Sequence, residues 1–162
     1  MKTFSFPRKI LMHPILAFCL RIYLAGLLVY AAIHKILDPA AFANIIAGYE
    51  LLPHWAVNLS ALTLPWLELI CGFFLATGIF VRSATLFLIL LFFLFTGALS
   101  VSLLRGVSAT CGCFGPVGDE LSWTTIIRDV FWMLLCIHVL KYDRYLHVDK
   151  KILLSDFNLY RA

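Results

Sequence analysis

Charged residues are scarce in this sequence. Only 14% of its 162 residues are Asp, Glu, Lys or Arg, whereas 62% are hydrophobic. A soluble domain usually carries about 25% charged and about 45–50% apolar residues. A chain with this composition cannot bury its apolar surface in a globular core of its own, and it is too apolar to be a disordered chain. The sequence therefore predicts an integral membrane protein with a single domain.

Several other patterns are missing. The basic residues form no stripe, despite a formal net charge of +4, so no nucleic-acid partner is expected. The composition excludes a small secreted domain held together by disulfides. Hydrophobicity does not alternate with a period of two, which argues against a membrane β-barrel. The sequence also has no internal repeat and no low-complexity segment.

The sequence does contain four long apolar runs, at about residues 14–37, 59–80, 84–104 and 122–140. Each is long enough for a spanning helix, which needs about 20 apolar residues. The fold prediction is therefore an all-α integral membrane protein, a four-transmembrane-helix bundle over residues 14–140. The first run follows basic residues, as in a signal peptide, but it is too long for one and three further spans follow. Residues 40–51 are predicted to form a short amphipathic helix at the membrane interface.

The distribution of Lys and Arg predicts the orientation of this bundle. With four spans, tails 1–13 and 141–162 lie on the same side as the turn near Arg82. That side carries Lys2, Arg8, Lys9, Arg82, Lys141, Arg144, Lys150, Lys151 and Arg161, whereas the other carries Lys35 and Arg105. The positive-inside rule then makes both termini cytoplasmic in the inner membrane. Residues 105–121 would form a loop that faces the periplasm or the cell exterior.

Two of the five cysteines, Cys111 and Cys113, lie in this loop with Gly112 between them. Disulfides form and persist outside the cytoplasm, so the pair is interpreted first as a redox unit. A disulfide between residues two apart closes a small, strained ring, and strain makes such a bond easily reduced and exchanged. Its position just before a helix N-terminus favours a thiolate on Cys113.

Two alternatives for this pair stay open. One is a structural disulfide that pins the loop. The other is a soft-metal site for copper or zinc, but two thiolates cannot complete a metal shell without His34, His54 or a partner protein. No metal is therefore expected. The remaining cysteines, Cys19, Cys71 and Cys136, fall inside spans and are interpreted as packing residues.

Ionisable residues at membrane depth are functional candidates by default, and the spans contain Arg21, Glu68, Arg128 and Asp129. From the predicted span starts, Glu68 lies roughly 13 Å and Arg128 roughly 9 Å below the outer surface. These two residues are therefore predicted to pair if the second and fourth spans are neighbours, whereas Asp129 needs another partner. Arg21 lies deeper and is expected to extend its side chain towards the cytoplasm.

These charges are interpreted either as an ionic lock between helices or as part of a polar pocket. Such a pocket would support proton-coupled electron transfer or hold a quinone, with Trp66, Trp123 and Trp132 as candidate lining residues. Trp55, Trp66 and Trp123 are equally explained as anchors at the membrane interface. His34 and Lys35 are expected at the outer end of the first helix, within reach of the cysteine loop.

Several segments resemble the DoxX-like family of membrane proteins. Residues 30–39, YAAIHKILDP, are similar to the G-x-x-K-x-x-D-P end of helix one in that family, and Arg21 matches its arginine. Residues 49–53 and 64–68 resemble the segment that enters helix two. The combination of CGCFG at 111–115, LSW at 121–123 and Arg128-Asp129 is similar to the branch of methylamine utilisation proteins called MauE. The resemblance covers about residues 15–140.

The resemblance implies a four-helix membrane bundle that aids the maturation of a disulfide-containing protein outside the cytoplasm. In the MauE branch that client is the small subunit of methylamine dehydrogenase, and a thioredoxin-like protein is the partner. DoxX relatives also imply a link to quinone, although no cofactor is evident in this sequence. The leading hypothesis is therefore thiol–disulfide oxidoreductase activity with a partner. The alternative is a non-catalytic membrane subunit or transporter that scaffolds a redox complex, in which the Cys pair is structural.

Overall fold

A computed structural model describes residues 14–106 and 122–143, and within these ranges all regular secondary structure is α-helical. The helices are α1 Pro14–Leu37, α2 Pro39–Gly48, α3 His54–Thr77, α4 Val81–Leu104 and α5 Trp123–Tyr142. The first contacts the third most extensively, and α4 packs mainly on α5. The long helices run up and down. One end of the bundle, here called the tail end, holds the start of α1, the α3–α4 turn and the end of α5; the opposite end is called the loop end.

Four of these helices, α1, α3, α4 and α5, are long and apolar enough to cross a bilayer. Helices of 24 residues extend about 36 Å, compared with a hydrocarbon core of about 30 Å. Their outward faces carry large apolar side chains, such as Phe93 at 63% and Ile127 at 68% exposure. A surface of this kind requires lipid rather than water around it. The predicted four-helix membrane bundle is thus confirmed, and the protein is a multi-pass membrane protein.

The turn between α3 and α4 is only three residues long because its first residue is a glycine. Gly78 has a φ of 81°, and its N–H donates to the carbonyl of Phe74 at 3.0 Å. This left-handed conformation ends a helix at little steric cost only when the residue lacks a Cβ. Phe80 also has a positive φ, 48°, and its ring packs 5.9 Å from that of Phe74. The turn therefore holds α3 and α4 antiparallel.

The short helix α2 covers the loop end of the bundle. Asp38 caps it, since its carboxylate accepts a hydrogen bond from the N–H of Ala41 at 2.9 Å, and Pro39 occupies the first turn. The helix packs its buried residues, Phe42 and Ile46, against the first part of α3. Beyond its end, the carbonyl of Tyr49 accepts a hydrogen bond from Ser102 on α4 at 3.3 Å. These contacts give α3 a packing partner beyond the point where α1 ends.

α1 and α3 approach each other closely at Gly72. A Cβ at this position would lie 3.1 Å from Val29 Cγ2 and 3.3 Å from both the carbonyl oxygen of Ala25 and the Cβ of Leu28. Small residues at such contacts allow membrane helices to pack backbone to backbone. The missing side chain of Gly72 is therefore what sets the spacing of the most extensive helix pair.

We expect Gly72→Leu to destabilise the bundle by about 1–3 kcal/mol, the usual cost of overpacking a filled core. The measurement is thermal denaturation of the detergent-purified variant. Gly97→Leu is the matched control, because a Cβ at Gly97 meets nothing within 4 Å. Equal stability of the two variants would contradict the close α1–α3 contact.

Candidate functional site

The predicted redox pair, Cys111 and Cys113, lies outside the described residues, and its role remains a prediction. Three other cysteines are described, all as free thiols. Cys71 and Cys136 belong to the main hydrophobic core cluster, with 6% and 0% exposure, whereas Cys19 is exposed. The candidate site in the described part of the chain is therefore built from buried charges rather than from cysteines.

Glu68 pairs with Lys35, and the predicted pairing with Arg128 is wrong. The ammonium group of Lys35 donates to both carboxylate oxygens of Glu68, at 2.7 and 2.8 Å. Both side chains are only 6% exposed. This bidentate, buried ion pair joins α1 to α3 inside the bundle. Lys35 lies in the last turn of α1, as expected, but its side chain is buried inside the bundle, and its reach to the cysteine loop stays a prediction.

The position of α3 along the bundle axis explains the error. This helix begins at His54, earlier than the predicted Leu59, because α2 packs against its additional turns. Counted from the helix starts, Glu68 lies about 21 Å along α3, whereas Arg128 lies only about 8 Å along α5. Side chains also lean towards the N-terminus of their helix. Lys35 thus leans towards the tail end and Glu68 towards the loop end, so the two groups approach each other.

Aromatic rings surround the buried ammonium group of Lys35. Its Nζ lies 5.1 Å from the ring centre of Phe42 on α2 and 5.9 Å from that of Phe95 on α4. Ring faces attract a cation in a desolvated site. His34, its neighbour in sequence, is half-buried and packs edge-on against Tyr30 with the ring centres 4.5 Å apart. His34 and Lys35 therefore have different environments, although the sequence placed them together.

Asp129 and Arg128 are adjacent in sequence, but their side chains have different surroundings. The carboxyl group of Asp129 is buried, with 1% exposure, and its Oδ1 accepts no hydrogen bond from any residue in 14–106 or 122–143. Arg128 is half-buried, and its guanidinium carbon lies 5.2 Å from the ring centre of Trp132. The four residues Lys35, Glu68, Arg128 and Asp129 bring two positive and two negative groups into the interior of the bundle.

A small cavity of about 30 Å³ lies beside two of these charges. Glu68 and Asp129 supply its charged lining groups, and Trp132 forms part of its wall. The remaining lining is apolar: Leu27, Leu28, Ala31, Leu91, Phe92 and Phe95. Of the three tryptophans proposed to line a polar pocket, Trp132 does so, whereas Trp66 and Trp123 are 52% and 63% exposed on the outer surface.

A larger apolar groove of about 340 Å³ lies next to this cavity, between α2, α3 and α4. Leu91 and Phe95 contribute to both spaces, so they separate the groove from the charges. The groove's polar residues are Tyr49, which is buried, and Ser60, which is half-buried. Burial raises the pKa of the Tyr49 hydroxyl, and the nearby charge of Asp129 raises it further, so this phenol stays protonated.

Comparison with known proteins identifies the family. The sequence profile described as "Methylamine utilisation protein MauE" matches residues 13–141, most of the chain. The chain belongs to the MauE family. No solved structure matches this chain significantly.

Characterised relatives of this MauE-family chain come from several bacteria, each named "Methylamine utilization protein MauE". The protein of Paracoccus denitrificans is 29% identical over 131 residues, which cover 80% of this chain and 70% of the relative. That of Methylorubrum extorquens is 32% identical over 122 residues, with coverage of 74% and 66%. That of Methylophilus methylotrophus is 36% identical over 101 residues, with coverage of 62% and 53%. The matched region thus spans between 53% and 70% of the length of these relatives.

A second buried ion pair in this MauE-family chain was missed by sequence reasoning. Arg21 Nη1 donates to Asp143 Oδ2 at 2.8 Å, and both side chains are 1% exposed. The guanidinium carbon of Arg21 also lies 4.9 Å from the ring centre of Phe18. Arg21 was expected to extend towards the cytoplasm, but it is buried and paired instead. Asp143 had been assigned to the tail; the signal that could have found it is an acidic residue directly after an apolar span.

Proposed function

We propose that this MauE-family protein is a membrane accessory of methylamine utilisation that acts in thiol–disulfide exchange with a protein outside the cytoplasm. The observation that carries the proposal is the family match over residues 13–141, together with the Cys-Gly-Cys segment at 111–113. The client would be a disulfide-containing protein like the small subunit of methylamine dehydrogenase. A periplasmic thioredoxin-like protein would be its partner.

The residues on either side of the cysteine loop belong to packed helices of the bundle. The chain leaves the loop end after Arg105 and returns to it at Ser122, the N-cap residue of α5. Arg105 is tied to the segment after α2, since its Nη1 contacts the carbonyl of Glu50 at 3.5 Å. Both ends of the cysteine loop are therefore anchored on packed helices. With the charge bias of the tails, the positive-inside rule supports an inner-membrane protein whose loop faces the periplasm.

The exchange would proceed through a mixed disulfide. A thiolate of the reduced pair attacks one sulfur of a partner disulfide, and the partner's other sulfur leaves as a thiolate. The second cysteine of the pair then attacks the mixed disulfide and releases the partner as a dithiol. The pair ends as a disulfide and the partner gains two electrons; run in reverse, the same steps oxidise a client. Cys113 is proposed as the attacking residue because it lies nearer to α5.

If the pair is reoxidised within the membrane, a quinone would be its electron acceptor. In that step the two thiols become a disulfide, and the quinone takes up two electrons and two protons to become a quinol. The apolar groove between α2, α3 and α4 is within the size range of small-molecule sites, and Tyr49 offers it a protonated hydroxyl. The check is whether a soluble quinone analogue accelerates reoxidation of the reduced, purified protein.

Trapping tests the role of the cysteine pair directly. If the pair exchanges thiols, either Cys111→Ser or Cys113→Ser removes the resolving thiol and leaves a stable mixed disulfide with the partner. We expect one of these variants to form a covalent adduct on a non-reducing gel that reductant removes. In the variant that forms the adduct, the cysteine that remains is the attacking residue.

Two controls complete this experiment. The double Ser variant should form no adduct yet retain its thermal stability, because the packed helices rather than the loop hold the bundle together. Cys19→Ser removes an exposed thiol of α1 and should leave trapping unchanged. If neither single variant forms an adduct and both support full client maturation, the pair is structural and the protein scaffolds a redox complex.

A further inference from the structure

The buried carboxyl group of Asp129 has no role in thiol exchange, and its surroundings are unusual. It lies in the middle of the bundle with 1% exposure, and its Oδ1 accepts no hydrogen bond from any described residue. Leaving a buried carboxyl oxygen without a donor costs free energy in a protein, and more so within a membrane. An oxygen of this kind needs either a proton of its own or a donor from outside the described residues.

The small cavity beside Asp129 supplies the space for such a donor. Its volume of about 30 Å³ exceeds the roughly 10–15 Å³ that one water molecule requires. Glu68 lines the same cavity, so a water molecule there has polar partners on both α3 and α5. Because the other lining groups are apolar, apart from the indole of Trp132, the cavity favours a single water over a chain of them.

The charged and titratable groups near Asp129 come from four parts of the chain. Lys35 on α1 and Arg128 on α5 are the cations that act on it, Glu68 on α3 is the nearby anion, and Tyr49 follows α2. From α4 the cavity receives only apolar side chains. The charge of Glu68 is already matched by Lys35 at 2.7 Å. Asp129 has no ion pair of this kind with any described residue.

The groups that line the cavity beside Asp129 determine which ion it can bind. Within the described residues, no group of three or more His, Cys, Asp and Glu side chains is placed to hold a metal ion. Calcium takes 6–8 oxygen ligands and magnesium needs a near-octahedral set, whereas this cavity offers two carboxyl groups in an apolar wall. A proton needs only one oxygen atom. The chemistry of the cavity therefore fits a proton and excludes a multiply coordinated cation.

We propose that Asp129 is a proton-binding site inside the membrane bundle, loaded and unloaded through a water molecule in this cavity. On loading, hydronium transfers its proton to the Asp129 carboxylate and leaves as water; unloading reverses the step. Glu68, held by its ion pair with Lys35, forms the polar wall of the site opposite Asp129. The proposal uses no residue of the cysteine loop. It therefore holds whether or not Cys111 and Cys113 exchange thiols.

Trp132 offers a local reporter, because it lines the same cavity. Trp55, Trp66 and Trp123 are all more than half exposed on the outer surface, so replacing them by Phe leaves Trp132 as the single tryptophan. We expect its fluorescence in detergent to change in one protonation step as the pH is lowered. Asp129→Asn, in the same background, should abolish that step completely.

Asp38→Asn is the matched control, since Asp38 is an exposed N-cap and Asn is an equally good capping residue. It should leave the step unchanged. A second measurement does not require the Asp129→Asn variant to fold. The infrared difference spectrum of the wild type between acid and alkaline pH should contain a carboxylic-acid band from a buried aspartic acid. Labelling Asp with ¹³C should shift that band.

Three outcomes would overturn the proposal. Trp132 fluorescence and the infrared spectrum could both lack a protonation step, in which case Asp129 does not exchange a proton. The step could persist in Asp129→Asn, which would assign it to another group. It could also shift when NaCl replaces KCl at equal ionic strength, which would make the cavity a sodium site.

Discussion

Glu68→Gln is expected to lower the free energy of unfolding by about 3–5 kcal/mol, the usual cost of removing one partner from a buried ion pair. The ammonium group of Lys35 would stay in the interior, and neither the new neutral amide nor the rings of Phe42 and Phe95 would balance its charge as a carboxylate does. Lys35→Met should have a comparable effect, because it leaves the Glu68 carboxylate buried without its cation. The measurement is denaturation of the purified protein in a fixed detergent, with yield from the membrane as a second readout.

A double-mutant cycle separates the pair from its surroundings. Lys35→Met combined with Glu68→Gln removes both charges, so the double variant should recover most of the stability that either single variant loses. The matched control is Arg128→Gln combined with Glu68→Gln, for which we expect nearly additive losses. Strong coupling of Glu68 to Arg128, or additive effects for Lys35 and Glu68, would contradict the observed pairing.

Arg21→Met is expected to produce a loss of similar size, about 3–5 kcal/mol, at the other end of the bundle. The substitution keeps an unbranched apolar chain of comparable length but leaves Asp143 buried without its 2.8 Å partner. Because Asp143 directly follows α5, we expect the end of α5 to separate from α1 first. Protease sensitivity after Tyr142 in detergent would report this local effect, and thermal denaturation the global one.

The control for Arg21 is Arg82→Met, which removes an arginine that is exposed at the tail-end turn. Its loss should stay below about 1 kcal/mol, as for surface charges in general. Added salt should have little effect on the difference between the Arg21 and Arg82 variants, since screening acts weakly on a buried pair. Equal effects of the two substitutions would mean that the Arg21–Asp143 pair contributes nothing beyond a surface charge.

Much of the fold could be predicted because lipid imposes a strong and local requirement. Every backbone polar group within a membrane must be satisfied by its own helix, so an apolar run of about 20 residues can only be a helix. α1 and α4 end at Leu37 and Leu104, as their apolar runs indicated. The predicted start of α3 was wrong because residues 54–58 include polar side chains. Packing of Val57 beneath Phe42 and Ile46 of α2, rather than hydrophobicity, extends α3 to His54.

The sequence could predict which charged residues lie inside the bundle, but not how they pair. The sequence correctly identified Arg21, Glu68, Arg128 and Asp129 as polar groups within the spans, because an ionisable residue in an apolar run is visible without any structure. It could not identify their partners. Pairing depends on how far one helix is displaced along its neighbour, and one turn of displacement moves a side chain by about 5.4 Å, more than the length of a hydrogen bond.

The sequence by itself determined the membrane environment, the number of spanning helices and the identity of the buried charges. These follow from composition and from runs of neighbouring residues, which act over a distance of one helix. Only the tertiary structure decided that Lys35 pairs with Glu68, that Arg21 pairs with Asp143 and that Asp129 faces a cavity large enough for one water. The physical reason is that these contacts depend on the offset between helices, which the close approach at Gly72 and the packing of α2 set together.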